Sequence, residues 1–196
     1  MRSIVLATLA SVCLAGCSGP SAKTEEEAAG PVAPPAVPAD PSFTGFKHDQ
    51  KKDLFGYYYP TAEVKVGGKY KLDHLHIGGP VGFGDWTAGK RTKTYGPVML
   101  EFQDVTSPSR TNALGNTSYS VKLRVLPTAY ALNDETVRFV GTDAKLGEVR
   151  LDAKIDAAAL KLAQSKGKDS PPVITGALQV GETPFKSVIF TWKGGD

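Results

Sequence analysis

Glu63-Val64-Lys65-Val66-Gly67-Gly68-Lys69-Tyr70-Lys71-Leu72-Asp73-His74-Leu75-His76-Ile77 is the stretch on which the fold turns. Two adjacent glycines supply the positive φ that a two-residue hairpin turn needs, and alternating segments flank them on both sides. Glu63 to Val66 and Lys69 to Ile77 therefore read as an antiparallel strand pair. Strict alternation along the second strand places Tyr70, Leu72, His74 and His76 on one face. Asp73 then points to the other face unless a bulge intervenes.

The same period of two recurs downstream. Val98, Leu100 and Phe102 oppose Met99, Glu101 and Gln103, while Thr117, Tyr119, Val121, Leu123 and Val125 oppose Ser118, Ser120, Lys122 and Arg124. Val188, Phe190 and Trp192 alternate with Ser187, Thr191 and Lys193, and Ile189 on the second face implies partial burial there. Val137 with Phe139, Val149 with Leu151, and Val173 to Val180 give further strands. About eight strands separated by turn residues predict a mainly β domain, an antiparallel sandwich or barrel. One short helix is expected at about 157–166. Asp156 is its N-cap, Leu160 and Ala163 share an apolar stripe with Ala159, basic residues fall late, and Gly167 stops it.

The chain has 196 residues and a formal charge of +3, but three segments of different kind share these totals. Met1-Arg2-Ser3 is followed by an apolar run from Ile4 to Leu14, too short for the ~20 residues a membrane-spanning helix needs. A charged start, a short apolar run and small residues after it read as a secretory signal. Leu14-Ala15-Gly16-Cys17 resembles the lipobox of bacterial lipoproteins, where the peptidase cuts before the cysteine. The resemblance implies that residues 1–16 are removed and that Cys17 becomes a lipidated N-terminus carrying a diacylglyceryl thioether and an N-acyl chain such as palmitate. Several acyl chains make a durable anchor where one does not. Ser18 rather than Asp at the next position implies onward export to the outer membrane in a Gram-negative cell, and a cell-membrane lipoprotein otherwise. Cys13 leaves with the signal, so no thiol remains for a disulfide or a nucleophile.

Residues 17–42 form the anchor and tether. They hold six prolines, the run Glu25-Glu26-Glu27 and no aromatic residue, a composition that favours extended polyproline conformations and builds no core. Twenty-five such residues reach up to ~75 Å at ~3.1 Å each. Residues 43–196 then form one β-rich domain of 154 residues, long enough to bury a core unaided. Its 21 Lys and Arg against 16 acids give it +5, and the tether carries −3. That bias favours anionic partners but falls short of a nucleic-acid signature.

Three groups of residues carry possible chemistry. The first is Gly78 to Pro97, read as a long loop in which Trp86 and Tyr95 stack on a ring or sugar and Lys90, Arg91 and Lys93 meet an anion. Its Gly82-Phe83-Gly84 is no nucleotide motif, because the third glycine and a following helix are missing. The second is Tyr57-Tyr58-Tyr59, which on a strand must face both sides and so offers an interface. The third is His74-x-His76, whose spacing suits Cu(II), Zn(II) or Ni(II) given a further ligand such as His48. Ser107 to Thr117 reads as a plain turn region. Glu101, Asp104 and Asp85 provide carboxylates for a hydrolase, but no GxSxG, HExxH or Walker signature accompanies them. The leading expectation is a non-enzymatic, membrane-anchored envelope lipoprotein. Its domain binds another envelope protein or an anionic or glycan component, with no cofactor beyond the lipid at Cys17. A periplasmic metal-binding protein using His74 and His76 is the second expectation, and a carboxylate-pair hydrolase the third.

Overall fold

A computed structural model of the chain describes residues 43–166 and 171–194. The signal segment, Cys17, the tether and Gly167 lie outside these residues. Among the described residues the alternating segments become thirteen strands and two helices. In chain order they are β1 (Phe46–His48), β2 (Gly56–Pro60), β3 (Lys65–Val66), β4 (Tyr70–Ile77), α1 (Pro80–Thr87), β5 (Val98–Asp104), β6 (Ser109–Thr111) and β7 (Thr117–Tyr119). There follow β8 (Lys122–Val125), β9 (Pro127–Leu132), β10 (Thr136–Asp143), β11 (Gly147–Ile155), α2 (Ala157–Lys166), β12 (Pro172–Val180) and β13 (Thr183–Lys193).

The Gly-Gly hairpin forms as expected. Gly67 and Gly68 take φ of +57° and +66°, and the Lys69 N–H donates to the Val66 carbonyl at 3.1 Å to close the turn between β3 and β4. Eleven strands make one sheet in the order β1-β9-β10-β11-β12-β13-β2-β4-β5-β8, with β3 added beside β4. Its pairings are antiparallel except β1 on β9. β8 and β9 sit toward opposite ends of this path, yet Leu126 alone joins them in sequence. The covalent chain therefore draws the two ends together, and the sheet curls into a half-barrel. Its concave side holds the core, where Tyr58, Phe83, Phe102, Tyr130, Phe139 and Phe190 are fully buried.

Helix α2 starts as the sequence predicts: the Asp156 carboxylate accepts from the Ala158 and Ala159 N–H groups at 3.0 and 2.9 Å, and Leu160 and Ala163 are buried. Three expectations need correction. Residues 80–87 within the supposed loop of 78–97 are helix α1, with Pro80 in its first turn, where the missing N–H costs nothing, and with Phe83 and Trp86 buried. The strand expected over 117–125 breaks after Tyr119. β7 pairs with β6 in a separate two-stranded ribbon, so Ser107 to Thr117 is half of a hairpin, and only β8 joins the main sheet. Ile189, expected to be partly buried, is 36% exposed and counts among the exposed hydrophobic residues.

Candidate functional site

The fourth correction creates the site. β4 and β5 pair Leu72 with Phe102, but the next pair is His74 with Glu101, so Asp73 is an extra residue bulged out of β4. The bulge changes the phase of the strand. Leu72, Leu75 and Ile77 face the core at 0% exposure, and His74 and His76 face the opposite side, away from Leu72. Cross-strand partners share a face, so registry assigns the neighbours. Tyr57 on β2 and Met99 on β5 flank His76, Glu101 lies opposite His74, and Arg124 on β8 lies opposite Glu101.

This outer face is not a wet surface. His74 and His76 are only 6% and 3% exposed, because aromatic rings cover them. Tyr57 stands 5.0 Å from His74 and 4.9 Å from His76 between ring centroids. Tyr59 lies 5.6 Å from His74, and Tyr95 and Phe55 lie 5.5 and 6.2 Å from His76. Tyr95 reaches His76 because Gly78 and Gly82 leave room for its hydroxyl. A Cβ on either glycine would stand 2.3 or 2.6 Å from that oxygen.

The histidines differ in their polar partners. The His74 Nδ1 lies 2.8 Å from a carboxylate oxygen of Asp73. Its Nε2, and both nitrogens of His76, are buried without a hydrogen-bond partner among the described residues. Native interiors rarely leave such groups unsatisfied. Burial, with the nearby His74 adding to it, pushes the His76 imidazole down to about 4, so the ring is neutral near pH 7. Glu101 accepts a hydrogen bond from Arg124 and forms an ion pair with Lys122, each at 2.8 Å. Burial alone would push this carboxyl up, but Arg124 and Lys122 outweigh it and hold it low. Asp73 is likewise held low against its burial by His74. Asp73, His74 and Glu101 offer ligand atoms within 4.8 Å of one another.

The other sequence-predicted residues are dispersed. Trp86 is buried in the core, so its ring does not stack on a surface ligand, and Tyr95 is the exposed aromatic of its segment. Tyr58 is fully buried, its hydroxyl donating to the Leu54 carbonyl at 2.7 Å, while Tyr57 and Tyr59 are half-buried on the histidine face. Lys90, Arg91 and Lys93 are exposed after α1. Lys90 pairs with Asp85 at 3.1 Å, and Arg91 stacks over Phe46 at 4.5 Å. His48, the third histidine, stacks on Phe83 at 4.8 Å. The carboxylates also stand apart in their bonding. Asp85 pairs with Lys90, and Asp104 is held low by hydrogen bonds from Thr106 and by its ion pair with Lys69 at 3.2 Å. A general acid needs a raised pKa, and Glu101 and Asp104 are tuned the other way.

Sequence reasoning named His74, His76 and the flanking tyrosines but missed Met99 and the part played by Asp73. Alternation did place Met99 on the polar side of its strand. Only the pairing register sets it beside His76. Comparison of the chain with protein-family models, with curated proteins and with solved structures finds no match.

Proposed function

We propose that this chain is a non-catalytic, lipid-anchored envelope protein whose folded domain works by binding, through the face carrying Tyr57, Tyr59, His74, His76 and Tyr95. The observation that carries this reading is an aromatic and imidazole cluster built on the side of the sheet that the core does not use. Such a face contributes little to the main core, and Lys and Arg side chains border it. Lys122 and Arg124 flank the Glu101 carboxylate, with Asp73 balancing the second of these charges, and the Lys193 ammonium sits 4.8 Å from the Tyr59 ring centroid. Lys90, Arg91 and Lys93 follow on the segment that leads to Tyr95. The partner is accordingly an anionic protein or glycan component of the envelope.

The anchor and tether complete the reading. Acyl chains on Cys17 hold the chain at the membrane, in the outer membrane of a Gram-negative cell, and the proline-rich segment lets the domain sample the space beyond. Photo-crosslinking in intact cells tests this directly, with the crosslinking residue placed at Tyr59 or Tyr95 and, as control, at Leu114, which is 85% exposed on the β6–β7 ribbon. A discrete adduct from Tyr59 and Tyr95, absent from Leu114 and lost when residues 1–17 are replaced by an ordinary cleavable secretory signal so that the domain is exported without lipid, is expected. Identical adducts from all three positions, or none from the tyrosines, would sink the assignment of this face.

A further inference from the structure

We infer that the floor of this face is a copper(I) site, with His74 Nε2, a ring nitrogen of His76 and the thioether of Met99 as its ligands. The inference rests on the reading of this face as the working surface and names what its buried layer holds.

Two imidazoles two residues apart on one strand project side by side, and a third donor from the adjacent strand completes a trigonal set. Met99 is the residue paired with His76 across β4 and β5, it faces the same side, and it is 7% exposed. Cross-strand partners hold their Cβ atoms about 5 Å apart, close enough for an imidazole and a flexible thioether to meet on one ion.

The carboxylate beside His74 is placed as one beside a metal-bound histidine would be. Metal-bound histidines almost always donate their second ring N–H to a carboxylate, a backbone carbonyl or water, which fixes the tautomer and turns the other nitrogen to the ion. Asp73 supplies that carboxylate at His74 Nδ1, and the β-bulge is what lets it do so from the adjacent position. The remaining Nε2 is the buried atom that lacks a partner. His76 adds two more nitrogens in the same condition, on a ring held among Phe55, Tyr57 and Tyr95.

The donor set also selects the ion. The oxygens that would attract a hard cation are already engaged, Asp73 by His74 and Glu101 by Lys122 and Arg124. Asp73 and Glu101 therefore orient and balance the site rather than ligate, although they lie near enough to His74 to form an oxygen-rich set with it. What remains is imidazole and thioether in an aromatic enclosure, a soft set that favours Cu(I) over Zn(II), Mg(II) or Ca(II).

The test uses the full chain purified in detergent, with Cys13→Ser and Cys17→Ser removing its two thiols. Cu(I) is titrated anaerobically in competition with a chromophoric Cu(I) chelator, and Zn(II) is titrated in parallel. One equivalent of Cu(I), bound more tightly than Zn(II), is expected. His76→Phe, which keeps a ring among the aromatics, abolishes that equivalent. Met99→Leu, which conserves volume, weakens Cu(I) at least about tenfold while leaving Zn(II) uptake unchanged. Asp73→Asn, at a positioning residue, weakens Cu(I) by about 10–100-fold and is accompanied by a shift of the His74 ring resonances. No Cu(I) uptake, uptake indifferent to both His76→Phe and Met99→Leu, or tighter Zn(II) than Cu(I) overturns the assignment. Failure here with tyrosine adducts still forming in cells discards the copper alone, whereas loss of those adducts discards the face.

Discussion

His76 shows how far one residue can depart from its ordinary behaviour when registry buries it. In water an imidazole titrates near 6.5, but here burial, reinforced by His74, lowers it to about 4. In the metal-free chain the folded state therefore stays neutral at His76 while the unfolded state takes up a proton below about 6.5. The stability this neutral ring permits is fully present above that pH and is lost as the pH falls toward 4, by about 3 kcal/mol in all. Urea unfolding of the wild type and of His76→Phe between pH 7 and pH 4 measures it. The wild type should lose stability relative to the variant across that window, and a constant difference would contradict the burial argument. The sequence announced the two histidines but not this property, because nothing in His-x-His says which face is covered or by which rings.

At the scale of elements, legibility follows how local the determining interactions are. Helix α2 was readable because its signals lie within it: an Asp156 cap, an alanine-rich first turn and a basic last turn. Asp156→Ala should cost about 1 kcal/mol, read as a lowered melting temperature, and an unchanged melting temperature would show that the cap contributes nothing. Helix α1 was unreadable for the converse reason. Gly82 and Gly84 each cost a helix about 1 kcal/mol relative to alanine, and the segment coils only because Phe83 and Trp86 are buried against the core. The bulge at Asp73 is a relation between two strands, visible only once β5 is laid beside β4. Alternation alone put Leu72 and His74 together, whereas pairing separates them and aligns His76 with Met99. The break after Tyr119 has the same character, since Thr117 to Val125 alternates well and only the partners differ, β6 for one half and β5 for the other.

Across the whole molecule, the division of labour is by face. The concave side of the half-barrel takes the aliphatic and aromatic residues that hold it together, and this much the alternating pattern foretold. The outer side of β2, β4 and β5 carries a layer of a different composition, with two buried histidines and a buried methionine covered by the half-buried Tyr57 and Tyr59 and the exposed Tyr95. Such a layer contributes polar groups that folding alone does not need, and that is why function is assigned to it. On the proposed reading, an anchored and tethered chain presents this face to the envelope. If the unsatisfied ring nitrogens are ligands, the ¹H–¹⁵N long-range spectrum of the histidine side chains, recorded before and after one equivalent of Cu(I), shows it: His74 Nε2 and one nitrogen of His76 are expected to move, while His74 Nδ1 keeps its proton on Asp73 and His48 stays still. Unmoved His74 and His76 nitrogens, or a shift confined to His48, would contradict the assignment.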